Sequence, residues 1–91
     1  MIYEWDEAKR ASDLFKHGVD FEDVRSFDWD SAWLQEDCRH DYGERRWKAI
    51  GKLGSCVVAV IVYTDRDRTT RVISARLASN KERAFYETAF P

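Results

Sequence analysis

Residues 70–77 read Thr-Arg-Val-Ile-Ser-Ala-Arg-Leu, and residues 79–86 read Ser-Asn-Lys-Glu-Arg-Ala-Phe-Tyr. The first stretch is rich in aliphatic and β-branched residues, a composition typical of a strand. The second opens with Ser79 and Glu82, whose three-residue spacing is that of a helix capping box. Folding brings the arginines of such a strand close to the basic and aromatic side chains of the helix that follows. This stretch therefore predicts the last strand of a sheet, a C-terminal helix and a basic surface shared by both.

The segments before this stretch predict two helices and further strands. Asp6 and Asp20 are predicted as helix N-caps, with the first helix ending at Gly18 and the second near Phe27. Strands are predicted at residues 2–5, 32–36, 45–52, 56–64 and 70–77. Since strands joined by short turns pair antiparallel, the predicted fold is α+β. It is a single domain over residues 1–91, with a small antiparallel sheet, two N-terminal helices and one C-terminal helix. The helices are expected to cover one face of the sheet.

Length and composition exclude several classes of protein. Hydrophobic residues make up 44% of the 91 residues and aromatic residues 14%, which is typical of a packed globular chain rather than a disordered one. No apolar run approaches the ~20 residues that a membrane helix needs. The first residues contain neither a basic start nor an apolar signal core. We therefore expect a soluble cytoplasmic protein that does not contact a membrane.

The net charge of −2 conceals a difference between the two halves of the chain. Residues 1–43 contain 12 acidic and 5 basic side chains, a net −7, whereas residues 44–91 contain 5 acidic and 10 basic side chains, a net +5. The negative total argues against strong non-specific binding of nucleic acid. The basic half can still bind a polyanion locally, although an unevenly charged solvated surface would have the same composition.

The cysteine and histidine pattern indicates neither a metal nor a cofactor. Cys38 and Cys56 have no paired spacing, and reduced thiols are expected in a cytoplasmic chain. The segment of residues 38–41 reads Cys-Arg-His-Asp and resembles part of a metal site. Zinc needs four ligands that usually come in closely spaced pairs, and the second pair is missing.

The first candidate site lies in the C-terminal stretch. Alternation along a strand puts Arg76 on one face with Val72 and Ser74, and leaves a better core face made of Arg71, Ile73, Ala75 and Leu77. Arg83 and Tyr86 share one side of the helix, and Arg66 lies in the turn before the strand. These side chains form a candidate cluster. The alternative is that Arg76 or Arg83 pairs with Glu82 or Glu87 and that Tyr86 packs in the core.

Two further segments combine basic residues with groups suited to nucleic-acid chemistry. Lys16 and His17 end the first helix, and histidine is the side chain best suited to move protons near neutral pH. Their alternative role is as a basic pair at a helix C-terminus. Arg45, Arg46 and Trp47 suit contact with a phosphate and stacking on a base. Protection of an exposed strand edge by charge is an equal alternative.

Taken together, these motifs resemble the BrnT family of bacterial type II toxins over nearly the full chain. The resemblance lies in their order and spacing: Glu4-Trp5-Asp6 with Lys9; Lys16-His17-Gly18-Val19 with Phe21-Glu22; Gly43-Glu44-Arg45-Arg46 with Gly51; Tyr63-Thr64-Asp65-Arg66; and Arg71-Val72-Ile73-Ser74-Ala75-Arg76 with Glu82-Arg83 and Tyr86. Two residues depart from the family pattern. Asp13 stands where Asn is expected and Asp65 where Glu is expected. Both are mild changes at polar positions, and we expect them to affect a surface or partner contact more than the fold.

The resemblance implies a RelE-like fold and a metal-independent ribonuclease that arrests translation. It also implies neutralisation by a BrnA-type antitoxin, the DNA-binding partner of the pair. In such cleavage the ribose 2′-OH attacks the adjacent phosphorus, a base and an acid move protons, and cations stabilise the developing charge. Arg66 and Arg76 suit charge stabilisation, and Lys16 or His17 suits proton transfer. Tyr86 would stack or hydrogen-bond, while Arg45, Arg46, Trp47 and Arg83 would bind RNA.

Two other functions compete with the ribonuclease. One is a non-catalytic module that binds RNA, a ribosome or a protein through the basic half. The other is a DNA-binding regulator, which is disfavoured because no helix-turn-helix pattern is visible and the helical half is acidic. The acidic half is instead suited to receive a basic antitoxin, which would cover the catalytic face or displace part of it in a hetero-oligomer. DNA contact is then expected only through the antitoxin.

Overall fold

A mixed five-stranded sheet organises the computed structural model, which describes residues 2–38, 41, 43–54 and 57–91. The strands are β1 (Ile2–Trp5), β2 (Trp33–Glu36), β3 (Trp47–Leu53), β4 (Val57–Arg66) and β5 (Thr69–Leu77), and their order across the sheet is β1-β5-β4-β3-β2. The helices are α1 (Glu7–His17), a short 3₁₀ helix (Phe21–Ser26) and α2 (Asn80–Ala89). In the described part of the chain, no helix has the length and apolar character needed to cross a membrane.

The predicted helix boundaries that rest on capping are confirmed. The Asp6 carboxylate accepts hydrogen bonds from the Ala8 and Lys9 amides at 2.8 and 3.3 Å, and Gly18 ends α1 in the left-handed region at φ 73°. At α2, the Glu82 amide donates to the Ser79 hydroxyl at 3.1 Å, and the Ser79 amide donates to the Glu82 carboxylate at 2.9 Å. These are local interactions, so the sequence alone indicates them.

The prediction of an antiparallel sheet is wrong for one strand. β1 pairs in parallel with β5, with Tyr3 beside Thr70 and Trp5 beside Val72. The remaining pairs, β2 with β3, β3 with β4 and β4 with β5, are antiparallel as expected. Short turns specify the direction only of strands that are neighbours in the chain. Because β1 and β5 lie at opposite ends of the sequence, no turn carries information about their pairing.

The prediction of two N-terminal α-helices is also wrong. α1 is followed not by a second α-helix but by the 3₁₀ helix, which Asp20 caps together with Asp23. Two residues of the 3₁₀ helix, Phe21 and Val24, are buried, and so is Phe27, the residue that follows the helix. Each is three positions from the next. That spacing matches the three residues per turn of a 3₁₀ helix and keeps all three side chains on the sheet. Phe27 is already extended and bridges to Leu53, which ends the helix.

Apolar side chains are buried on both faces of the sheet, so the helices do not cover one face as predicted. One core joins the 3₁₀ helix to the sheet and contains Val19, Phe21, Val24, Phe27, Ala49, Ala59, Ile61, Tyr63, Val72 and Ala75. The other lies under α2 and contains Ile50, Val58, Val60 and Tyr86. We call this second side of the sheet the α2 face. α2 covers only part of it, because Val62 and Ser74 are partly exposed on the same face.

An irregularity in β5 changes the predicted alternation of its side chains. Val62 pairs with Ser74 and Tyr63 pairs with Val72, so Ile73 is an extra residue between the two pairs. Such a bulge shifts the alternation by one position. Val72 therefore joins Ala75 in the core of the 3₁₀-helix face, contrary to its predicted place beside Arg76. The prediction that Ser74 and Arg76 lie away from that core is confirmed.

α1 closes the part of the β5 edge that the short strand β1 leaves open. Asp13 is 1% exposed, and its carboxylate accepts hydrogen bonds from the backbone N–H of Ala75 at 3.1 Å and from the Lys9 ammonium at 2.8 Å. Burial opposes ionisation of Asp13, but the hydrogen bonds from Lys9 and Ala75 lower its pKa below the ordinary carboxyl value. The expectation that Asp13 occupies a surface position is therefore wrong, since this residue supports the fold.

Replacing Asp13 with alanine is expected to lower the free energy of unfolding by about 1–3 kcal/mol, because the buried Ala75 N–H would lose its acceptor. Asp13→Asn keeps an acceptor oxygen and should cost less. Since the folded pKa of Asp13 is lowered, its stabilisation is present above the ordinary value of 3.8 and disappears as the pH falls below it. Urea unfolding between pH 3 and pH 7 measures both effects. Equal losses for the two variants would contradict the role of the Ala75 hydrogen bond.

Candidate active site

A basic cleft of ≈ 440 Å³ lies on the α2 face, in the part of the sheet that α2 leaves uncovered. Its described lining consists of Lys9, His17, Asp37, Arg46, Lys48, Val60, Val62, Ile73, Ser74 and Arg76. Five of these side chains are basic and only one is a carboxylate. A concave surface with this excess of positive charge is suited to bind a polyanion such as a nucleic-acid backbone.

α1 contributes Lys9 and His17 to one wall of the basic cleft. Lys9, Asp13 and His17 follow each other at a spacing of four, which places them on one side of a helix. Asp13 is anchored on β5, so this side of α1 faces the last strand. The 2.8 Å ion pair with Asp13 holds the Lys9 ammonium, whereas His17 is exposed at the last position of the helix.

The strands contribute the remaining basic groups by their register. Lys48 on β3 lies beside Val62 on β4, which lies beside Ser74 on β5. Arg76 lies beside Val60, two positions further along β5. Arg46 precedes β3 and is two residues from Lys48, so alternation directs both side chains towards the same face. The sheet therefore aligns three basic side chains over an apolar floor.

Glu82 connects α2 to the basic cleft. Its carboxylate accepts two hydrogen bonds from the Arg76 guanidinium, at 2.7 and 2.9 Å, and lies 3.5 Å from the Lys48 ammonium. The hydrogen bonds from Arg76, with those from Ser79, lower the pKa of Glu82 well below its ordinary value despite its partial burial. The sequence alternative in which Arg76 pairs with Glu82 is thus confirmed. The same pair orients a guanidinium that lines the cleft.

Glu82→Gln is expected to lower the free energy of unfolding at neutral pH by about 1.5–3 kcal/mol, because the amide has no charge and only one acceptor oxygen for the Arg76 guanidinium. The folded pKa is lowered, so the stabilisation by Glu82 is present above the ordinary value of 4.5 and is lost as the pH falls below it. The acid-dependent loss of stability should therefore be smaller in the variant. Urea titrations from pH 3 to pH 7 measure it, with the exposed Glu87→Gln as control. Identical acid dependence in the two variants would exclude this linkage.

Comparison with known proteins identifies the family. The family described as the ribonuclease toxin BrnT of type II toxin–antitoxin systems matches residues 5–82. The chain belongs to the BrnT family. Among solved structures, the ribonuclease toxin BrnT of Brucella abortus is similar, with 30% sequence identity and a TM-score of 0.69 over 88% of this chain and 100% of that one. No curated protein sequence matches the chain. Membership in a type II toxin–antitoxin family implies an antitoxin partner.

In this BrnT chain, three of the nine predicted site residues line the basic cleft: His17, Arg46 and Arg76. The other six lie elsewhere in the described structure. Lys16 and Arg83 are exposed on α1 and α2. Arg66 pairs with Glu44 at 2.9 Å, beside a neighbouring pocket that Glu44 lines together with Arg46 and Arg71.

Arg45 and Trp47 belong to the opposite side of β3 from Arg46. Arg45 pairs with Glu36 at 3.1 Å, and its guanidinium lies 5.5 Å from the centre of the Trp47 ring. Trp47 packs against the core of the 3₁₀-helix face. The alternating geometry of a strand thus separates three residues that are consecutive in sequence.

Tyr86 is 1% exposed in the core under α2. Its hydroxyl donates a hydrogen bond to the Ser31 carbonyl at 2.7 Å. This placement matches the sequence alternative in which Tyr86 packs in the core, and it satisfies the polar end of a buried tyrosine.

Sequence reasoning missed Lys9 and Lys48 as lining residues. The four-residue spacing of Lys9, Asp13 and His17 was a usable signal for the first. The two-residue spacing of Arg46 and Lys48 was a usable signal for the second. Neither spacing shows which side of its element faces the cleft, because that depends on the packing of α1 and on the register of β3.

The described residues contain no group of three or more His, Cys, Asp or Glu side chains arranged to hold a metal ion. Cys38 is a free, exposed thiol. Arg39 and His40 of the possible metal-site fragment, and Cys56, lie outside the described residues.

Proposed function

We propose that this BrnT-family chain is an endoribonuclease that cleaves RNA in the basic cleft without a metal ion. The observation that carries the proposal is the presence of His17 in the same cleft as Lys9, Arg46, Lys48 and Arg76. The imidazole is suited to proton transfer, and the two lysines and two arginines are suited to supply the charge stabilisation that a divalent metal provides in other nucleases.

The proposed reaction is an intramolecular transesterification. The ribose 2′-oxygen attacks the neighbouring phosphorus, its proton leaves to a base, and the bond to the 5′-oxygen breaks as that oxygen receives a proton. The products are a 2′,3′-cyclic phosphate and a free 5′-hydroxyl. Negative charge grows on the non-bridging oxygens, and Arg76 and Arg46 are the groups proposed to stabilise it through planar guanidinium hydrogen bonds.

His17 is proposed as the proton-transfer residue. It stands at the end of α1, exposed to a substrate that enters the cleft, and no ion pair of the described residues engages it. Lys9 and Lys48 are proposed to hold adjacent phosphates. The exposed Arg66 and Arg83 are proposed as weaker RNA contacts outside the cleft, where solvent screens their charge.

The proposal also covers the biological setting. Residues 1–91 would form one domain of RelE-like fold that acts in the cytoplasm and arrests translation by cutting RNA. A BrnA-like antitoxin of basic character would neutralise it by binding the acidic half of the chain, in a hetero-oligomer that contacts DNA only through the antitoxin.

Incubation of the purified protein with RNA, with and without a chelator, tests the reaction. Cleavage is expected to continue in the chelator, to leave 2′,3′-cyclic phosphate ends and to fail at a position with a 2′-deoxyribose. Cleavage that stops in the chelator would reject the metal-free mechanism. RNA binding without any cleavage would favour the non-catalytic binding module.

A further inference from the structure

A second pocket continues the basic cleft towards the N-terminal part of α2. It has a volume of ≈ 270 Å³, and Trp33, Gln35, Lys48, Ile50, Lys81, Glu82 and Phe85 line it. Lys48 lines both this pocket and the basic cleft. Glu82 connects them a second time, since it lines the pocket and binds the Arg76 guanidinium of the cleft.

The composition of the second pocket differs from that of the cleft. Trp33 and Phe85 meet edge to face with ring centres 4.8 Å apart, and Phe85 remains 45% exposed. Gln35 lies beside Lys48 in the pairing of β2 with β3, so an amide borders the aromatic pair. An amide, an ammonium and a carboxylate therefore surround an accessible aromatic surface.

We propose that this pocket binds one nucleobase of the RNA whose phosphates occupy the basic cleft. Bases stack on exposed aromatic rings, and amide, ammonium and carboxylate groups hydrogen-bond to the edges of bases that are not paired. A protein side chain would also fit an aromatic pocket. A nucleobase is favoured because the pocket opens beside a polycationic cleft and shares Lys48 with it. The inference rests on the proposed function and adds a subsite that selects the base near the cleaved bond.

Binding of a fully 2′-O-methylated RNA, which lacks the attacking hydroxyl, tests the subsite independently of cleavage. Phe85→Leu keeps an apolar side chain but removes the aromatic ring, and it is expected to weaken binding at least about fivefold, the lower end of what stacking of one base contributes. Phe85→Tyr should bind like the wild type. Phe15→Leu is the matched control, because Phe15 on α1 is 92% exposed and lies outside both pockets.

A series of RNAs with one abasic nucleotide at successive positions locates the bound base. At one position, the abasic nucleotide should weaken binding of the RNA to the wild type. The same RNA should bind Phe85→Leu as tightly as the intact RNA does, because the variant has already lost that contact. If the wild type cleaves RNA, and Phe85→Leu binds every RNA of the series as tightly as the wild type does, the base subsite alone is rejected. A wild-type protein that neither binds nor cleaves RNA rejects both the subsite and the proposed function. Loss of antitoxin binding with unchanged RNA binding would assign the pocket to the protein partner and overturn the inference.

Discussion

Arg76→Ala is expected to lower the rate of RNA cleavage by about 10²–10³-fold, the cost typical of removing one donor that stabilises transition-state charge. Arg76 is the cleft residue whose orientation is best defined, because two hydrogen bonds at 2.7 and 2.9 Å hold its guanidinium on Glu82. A guanidinium held before the substrate arrives loses little conformational entropy when charge develops next to it. In cells without the antitoxin, the same variant should no longer arrest growth.

Control variants separate the chemistry of Arg76 from its contribution to folding. Arg76→Lys keeps the charge but not the two-pronged geometry, so partial activity is expected. Arg68→Ala removes an exposed arginine from the turn before β5 and should leave the rate unchanged. Because the loss of Arg76 also leaves Glu82 without these two hydrogen bonds, single-turnover rates should be compared only after urea unfolding shows that the variant is folded. A folded Arg76→Ala protein with the wild-type rate would remove Arg76 from the mechanism.

His17→Asn is expected to lower the rate by about 10²–10⁴-fold, the usual contribution of general acid–base catalysis. His17 is the one histidine of the described residues, and it lines the basic cleft beside the cations that would hold the phosphate. Single-turnover rates of the wild type and the variant on the same RNA measure this loss. Lys16→Ala, one residue away and outside the cleft lining, should retain most of the activity.

A modified substrate distinguishes the two possible roles of His17. When sulfur replaces the 5′-oxygen at the cleaved bond, the leaving group no longer needs a proton. Recovery of the His17→Asn rate on this substrate would identify His17 as the acid, whereas no recovery would exclude the acid role and leave that of the base. A wild-type rate for His17→Asn on ordinary RNA would exclude both roles.

The sequence predicts the ends of the helices more accurately than it predicts which residues meet in the cleft. The caps Asp6 and Ser79 and the stop at Gly18 were predicted correctly, because each depends on contacts within a few residues. Arg45, Arg46 and Trp47 were grouped as one RNA-binding segment, yet the pleat of the strand sends Arg46 to the cleft and the other two to the opposite side. Neighbours in sequence are therefore poor guides to neighbours in a site built on a sheet.

The sequence by itself determined the helix caps, the approximate positions of the strands, the basic character of the C-terminal half and, through the order of its motifs, membership in the BrnT family. Only the tertiary structure decided that β1 runs parallel to β5, that Asp13 is buried on the Ala75 amide, and that Tyr86 belongs to a core. The tertiary structure also showed which residues of β5 and α2 contribute to the cleft and which contribute to the core. Arg76 joins His17 and Lys48 in the cleft, while Tyr86 packs under α2. The physical reason is that caps and strand composition act over a few residues, whereas the cleft depends on strand register, a bulge at Ile73 and the docking of α1 on a free edge.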